Sequence, residues 1–318
     1  MSFNPESCLT IGIASSALFD LSESDGVFRT QGLDAYENHQ KINKDSVLPK
    51  GVAFPFIERL LKLNDLSNDP NLPLVEVIVL SRNSPQTGIR LQHSIEHYGI
   101  PITRGIYTEG QSPHKYMHGL DMELFLSANM EDVYRAINDD LPAGQILKET
   151  NLAEDESSKL RIAFDFDGVI GDDESEIIFH EQSLEGFAKN ELIKRFEPMN
   201  PGPLSKLLAR LNKIQILEKE RKKEDSQYVP RLEISLVTAR NAPAHERAIN
   251  SMEAWGLTVN NAFFLGGIEK ARILKILKPH IFFDDQIKHL ENSSDTIPSV
   301  HVPFGFRNYE KLREFEGE

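Results

Sequence analysis

Arg161-Ile-Ala-Phe-Asp165-Phe-Asp167-Gly168 is a short apolar run that ends in two carboxylates and a glycine. Such a run, bounded by a turn signal, has the pattern of a strand buried on both faces of a parallel sheet. On a loop leaving the strand, Asp165 and Asp167 can converge on one ligand, and Gly168 lets the chain turn. An Asp-rich turn that caps its own backbone would look the same in isolation. Three more runs of this kind follow: Leu232 to Val237, Ala262 to Leu265 and Ile281 to Phe283. Between them, Ala244 to Trp255 carries Ala248, Ile249, Met252 and Trp255 at helical spacing, and Gly256 follows as a stop. The alternation predicts an α/β fold, an open parallel sheet with helices on both faces. Such sheets bind ligands beyond the carboxyl ends of their strands.

Each strand end in this half carries a candidate group. Thr238 closes the second run, where its hydroxyl and the amides of Ala239 and Arg240 can hold an anion. A helix-start threonine is the plainer alternative. Lys270 follows Gly266-Gly267 at a helix start, an unfavourable place for a cation unless something anionic sits beside it. Asp284-Asp285 ends the fourth run, and paired carboxylates there suit a hard cation better than they suit each other.

Taken in order, Asp-x-Asp, Thr, Lys and Asp-Asp resemble the haloacid dehalogenase superfamily of phosphoryl-transfer enzymes. Ala163 to Val169, Asp173-Glu-Ser-Glu176, Leu236 to Arg240, Trp255-Gly-Leu257, Pro279 to Gln286 and His301-Val-Pro303 are similar to the cytosolic 5′-nucleotidase I family. So are Ser15 to Phe19, Ala53 to Phe56 and Leu91 to Tyr98 in the first half, so the resemblance covers nearly the whole chain. It implies a haloacid-dehalogenase-like Rossmannoid sheet with a helical cap, and Mg²⁺-dependent hydrolysis of a nucleoside 5′-monophosphate, AMP or a related (deoxy)nucleotide. In that scheme Asp165 is the nucleophile, Asp167 the general acid and base, and Lys270 the neutralising cation. Thr238, Ala239 and Arg240 bind the phosphate, and Mg²⁺ is held by Asp165, the Asp167 carbonyl and Asp284, with Asp285 direct or one step removed. Phe166 and Gly168 follow the wider superfamily pattern, which leaves the nucleotide preference open. Two alternatives stand beside this reading: a phosphatase of another small phosphate ester, and a nucleotide-binding regulatory protein with little turnover.

The first half repeats the second. Thr10 to Gln40 aligns without gaps on Arg161 to Glu191, Pro73 to Gly110 on Pro230 to Gly267, and Leu124 to Ser127 on Ile281 to Asp284. The alignment sets Ala14 and Ser16 opposite Asp165 and Asp167, and Ser127 and Ala128 opposite Asp284 and Asp285. Ser81 faces Thr238, and Lys115 lies near the position of Lys270 without strict register. Residues 1–150 are therefore expected to be a degenerate, metal-free copy of the catalytic unit 151–318, with a regulatory anion near Ser81 and Lys115 as a minor reading. The stretch Leu141 to Lys159, with Pro142, Gly144 and the polar run Glu154 to Ser158, reads as the linker. Residues 171–230 are too many for a loop and read as a mainly helical cap. Within them, Glu218 to Asp225 reads as a solvated helix end, and Asp173 to Glu176 as a hinge or substrate-contact segment.

Composition narrows the partners. The chain has 318 residues, which suggests two units of roughly 100–200 residues. A net charge of −14 would repel a phosphate backbone, which argues against nucleic acid. The only cysteine, Cys8, excludes an internal disulfide and fits the reducing cytoplasm. No apolar run approaches the roughly 20 residues needed to span a bilayer, and the first lacks the basic start of a signal peptide. A small nucleotide is the expected partner, and a homo-oligomer is left open.

Overall fold

Every residue of Leu9–Ile13 (β1) and Val75–Ser81 (β2) is buried, as apolar runs in the middle of a parallel sheet should be. The computed structural model describes residues 8–69, 71–147 and 157–315. After β1 and β2 come Arg104–Tyr107 (β3), Leu124–Ser127 (β4) and Ala143–Ile146 (β5). The second half supplies Leu160–Phe164 (β6), Leu232–Thr238 (β7), Asn261–Phe264 (β8), Ile281–Asp284 (β9) and Ser299–His301 (β10). One ten-stranded sheet results, in the order β3-β2-β1-β4-β5-β10-β9-β6-β7-β8. Each half thus runs third, second, first, fourth, fifth, and the halves meet through their fifth strands.

Neighbouring strands are parallel except at the β5–β10 junction, where Val300 pairs antiparallel with Ile146. The approach there is close: a Cβ on Gly144 would stand 2.3 Å from Val300 Cγ1. Registers in the two halves fall on aligned positions. Ile11 pairs with Val77 and Leu124, and Ile162 with Ile234 and Ile281. A single apolar layer on one face runs from Ile11 and Val77 to Ile162 and Phe283, so the halves share a core. The opposite face carries a separate cluster in each half, around Phe125 and Tyr134 and around Phe282 and Leu274.

Three sequence expectations change. Pro142 and Gly144 do not belong to a linker, because β5 is a sheet strand, buried except for Gln145, and the junction of the halves. The boundary near residue 150 and the polar run from Glu154 lie outside the described residues, save Ser157 and Ser158. The segment 171–230 is not all cap. Its second helix, Ser205–Glu224, buries Leu207, Leu208 and Leu211 in the shared core, each contributing about 1.5–3 kcal/mol. Glu218, at the start of the charged run, is buried too, and accepts from the Arg231 and Leu232 amides and the Tyr228 hydroxyl. The rest of the run, Lys219 to Asp225, is exposed as expected.

The first helix of that segment, Glu174–Ile193, is no straight rod. Ser175 Oγ lies 3.3 Å from Glu191 Oε1, whereas sixteen positions along an ideal helix span about 24 Å. Phe179 and Phe187 meet edge to face at 6.2 Å. The helix therefore doubles back as a hairpin. Its first-half counterpart is openly two helices, Ser22–Gln31 and Leu33–Ile42, parted at Gly32 with φ 84°. Phe28 and Tyr36 make the matching edge-to-face pair at 5.9 Å.

Candidate active site

The carboxyl ends of β6, β7 and β9 bring the sequence-predicted groups together. Asp165 leaves β6 with its amide bonded to the Phe283 carbonyl at 2.8 Å, which sets it beside Asp284 at the end of β9. Lys270 opens the helix Lys270–Leu277 and places Nζ 2.6 Å from Asp165 Oδ2 and 2.7 Å from Asp284 Oδ2. All three side chains are buried. The cation at a helix start is thus explained by the two carboxylates it faces. Asp165 Oδ1 accepts its neighbour's amide, from Phe166, at 2.7 Å. Asp284 Oδ1 accepts from the Gln286 amide at 2.8 Å and lies 3.2 Å from His289 Nδ1. Gly168 has φ 70°, and a Cβ on it would stand 2.8 Å from that of Asp285, so glycine is required for this loop to lie against the aspartate.

The charge is unbalanced in favour of the carboxylates. Burial, with the Asp284 and Asp167 charges adding to it and Lys270 opposing, pushes the Asp165 carboxyl up to about 7. Burial, then Asp284 and Asp165, drive Asp285 well above the usual carboxylate range. Asp284 moves the other way: burial opposes its ionisation, but Lys270 and His289 outweigh that and hold it low. Asp285 Oδ1 is buried without a hydrogen-bond partner. Ligand atoms of Asp165, Asp284 and His289 all lie within 4.8 Å of one another. An orphaned carboxylate oxygen beside two converging carboxylates, with one ammonium among them, fits a hard divalent cation. Sequence reasoning missed His289, which stands five residues past Asp284 with no motif to mark it.

Thr238 is buried at the end of β7 and its hydroxyl accepts the Arg240 amide at 3.2 Å; Ala239 is exposed at the same strand end. Arg240, however, is not presented to a phosphate. Its Nε and Nη2 grip both oxygens of Asp167 at 2.8 and 2.6 Å. Nη1 bonds Glu191 and the Ala244 carbonyl, Nη2 also meets Ser175 Oγ, and the guanidinium lies 5.0 Å from the Phe166 ring centroid. With its donors taken by the protein and the residue 3% exposed, Arg240 is a ligand of Asp167.

Asp173 to Glu176 likewise binds protein. Asp173 accepts the Phe306 amide, Glu174 pairs with Lys194 and Arg247, and Glu176 accepts from Gln286 and Arg307. These contacts fasten the hairpin over the strand ends. In the first half the corresponding strand ends hold Ala14, Ser16 and Ser127. Ser81 bonds Ser15 at 3.0 Å and the Asn83 amide at 3.2 Å, and Arg82 pairs with Asp132 at 2.8 Å. Lys115 lies on the loop beyond β3, beside Arg82 and His114, around a cavity of about 440 Å³ that does not include Ser81.

Comparison with known proteins decides the family. The family model described as 5′-nucleotidase matches residues 1–309. The chain belongs to the 5′-nucleotidase family. It is 32% identical over 294 residues to cytosolic 5′-nucleotidase 1B of Homo sapiens, a match covering 91% of this chain and 48% of that protein. The chain thus spans about half the length of the curated relative it matches. These matches bear out the resemblance to the cytosolic 5′-nucleotidase I family read from the motifs. No solved structure matches. Among the described residues no helix is long and apolar enough to cross a membrane.

Proposed function

We propose that this 5′-nucleotidase family member is a Mg²⁺-dependent hydrolase of nucleoside 5′-monophosphates, AMP or a related (deoxy)nucleotide, working in the cytoplasm through an aspartyl-phosphate. The observation that carries the reading is the buried Asp165–Lys270–Asp284 cluster at adjoining strand ends, in a chain whose family membership runs over nearly its full length.

Asp165 Oδ attacks phosphorus while the ester bond to the ribose 5′-oxygen breaks, which divides one hard hydrolysis into two easier steps. Asp167, whose two oxygens accept from Arg240, takes a proton from the entering phosphate monoanion, gives it to the leaving 5′-oxygen, and then takes one from the water that opens the acyl-phosphate. Lys270 Nζ, already between Asp165 and Asp284, keeps charge matched as it shifts from phosphate to nucleophile. The Thr238 hydroxyl and the Ala239 amide receive the phosphoryl oxygens. Mg²⁺ would be held by Asp165, the Asp167 carbonyl and Asp284, with Asp285 and His289 beside it, and would supply electrostatic stabilisation of the transferring phosphoryl group. The hairpin of Glu174–Ile193 serves as the cap, in a haloacid-dehalogenase-like arrangement.

The first half is, in this reading, a degenerate copy of the same unit, recruited as scaffold. It has no carboxylate at the places of Asp165, Asp167, Asp284 and Asp285, so it can neither form an aspartyl-phosphate nor hold Mg²⁺. The test is a panel of nucleoside monophosphates and other phosphate esters, assayed for released phosphate with Mg²⁺ and in excess chelator. Metal-dependent release from a nucleoside monophosphate is expected. Preference for a non-nucleotide ester would move the substrate class, and release at the uncatalysed rate throughout would favour a binding protein.

A further inference from the structure

Arg240 is the most heavily committed side chain near the site, and the chemistry above gives it no task. It joins three pieces of chain: Asp167 on the loop after β6, Ser175 in the near arm of the hairpin and Glu191 in the far arm. Glu191, fully buried, divides its oxygens. Oε2 faces Arg240 and Oε1 accepts from Arg247 at 2.9 Å. Arg247 in turn reaches Glu174 and the Glu197 carbonyl.

The first half contains the same anchor with a neutral glutamine, Gln40, in the place of Glu191. Arg90 donates to Gln40 at 3.1 Å and to the Ser46 carbonyl at 2.9 Å, as Arg247 does to Glu191 and the Glu197 carbonyl. The Leu48 amide bonds Ser94 at 3.0 Å, as the Met199 amide bonds Ser251 at 3.0 Å. Where the second half has Glu191, Arg240 and Asp167, the first has Gln40, Asn83 and Ser16, and Asn83 simply accepts from Tyr36. A neutral glutamine is therefore enough to dock the hairpin. Burying a carboxylate and a guanidinium costs several kcal/mol per ion before their attraction is counted, so the charged version needs another reason. Besides the Ser175 hydroxyl and the Ala244 carbonyl, the partner it gains is Asp167, a carboxylate of the site.

We propose that Arg240 and Glu191 are positioning residues that fix the carboxylate of Asp167 and tie its orientation to the folded-back arm of the cap helix. Asp167 then stands in place for proton transfer only while that arm is docked. The inference deepens the phosphatase reading and rests on it for the identity of the step affected.

The experiment uses Glu191→Gln, Arg240→Lys and, as control, Gln40→Glu in the full chain. Glutamine at 191 keeps the contact to Arg247, as Gln40 keeps that to Arg90, and turns an N–H towards Arg240. Lysine at 240 keeps the charge and loses the two-point grip. Both variants should lower kcat on AMP about 10–100-fold with KM within about threefold, while Gln40→Glu matches the parent. In hydrogen exchange, Glu191→Gln should speed exchange in the Asp165–Asp173 loop and leave the β-strands protected. A kcat within about twofold of the parent in either variant, or faster exchange throughout the sheet, overturns the proposal. A parent that turns over no nucleotide refutes the phosphatase reading instead. Loop exchange in Glu191→Gln then decides the coupling alone, and a parental rate refutes it.

Discussion

Arg90 and Arg247 occupy corresponding places in the two halves and are almost equally buried, at 4% and 2% exposure. Arg90 serves a neutral Gln40 and a distant, exposed Glu23, whereas Arg247 serves the carboxylates of Glu191 and Glu174 at 2.9 Å each. Around them the strand order, the registers and the aromatic pair inside the hairpin are alike. The halves differ in where they place buried charge. Arg90 apart, the anchor and strand ends need none of it: the first half has Ala14, Ser16, Gln40, Asn83, Ser127 and Ala128 at the places of Asp165, Asp167, Glu191, Arg240, Asp284 and Asp285. Charge at 165, 167, 191, 240, 284 and 285 is therefore best explained by what this half does.

Substitutions at matching strand ends of the two halves separate chemistry from scaffold. Asp165→Asn should lower kcat by about a thousandfold or more, while Ser16→Ala, at the first-half place of Asp167 on the matching strand end, leaves it unchanged, measured as phosphate release by freshly purified, non-deamidated protein. Activity in the Asn variant near that of the parent would take the nucleophile away from Asp165. Next in size, Asp284→Ala should raise the Mg²⁺ concentration for half-maximal rate by at least about tenfold, and Ser127→Ala should not move it. Full turnover in excess chelator would refute the metal.

Stability gives two smaller contrasts. Arg247→Ala takes a cation from the buried Glu191 and the half-buried Glu174 and should cost about 3–5 kcal/mol in urea unfolding. Arg90→Ala leaves mostly neutral acceptors and should cost about 1–3 kcal/mol. Equal losses would mean that charge at the anchor carries no extra weight. Last, Gly144→Ala forces a methyl against Val300 at the junction of the halves and should cost about 1–3 kcal/mol.

Much of this was legible in the sequence, for physical reasons. Buried parallel strands must be short apolar runs, so β6, β7 and β9 stand out, and the internal alignment falls on them in register. Asp165 and Asp284 declare themselves because each is polar at the end of such a run, and Lys270 because it is a cation at a helix start. Gly144 misled: glycine marks linkers, but here it lets two strands approach closely. Arg240 misled for a different reason, since an arginine after a strand-end threonine looks ready for phosphate until a buried partner is known, and Glu191 lies 49 residues away. The alignment did hold a clue, pairing Arg90 with Arg247 and ending on Gln40 opposite Glu191. A one-dimensional pairing cannot show that the two positions touch. Ser205–Glu224 falls within the cap expectation because residues 171–230 are too many for a loop, yet Leu207, Leu208 and Leu211 are spaced for a core face.

The central claim is that chemistry belongs to the second half and passes through a covalent bond to Asp165. The most direct measurement is to quench the protein in acid during turnover of AMP with Mg²⁺, reduce with borohydride and map peptides by mass spectrometry. An acyl-phosphate is reduced to the alcohol, so the account predicts homoserine at position 165 and at no aspartate of the first half. Turnover with Asp165 unmodified, or modification at another carboxylate, would contradict it.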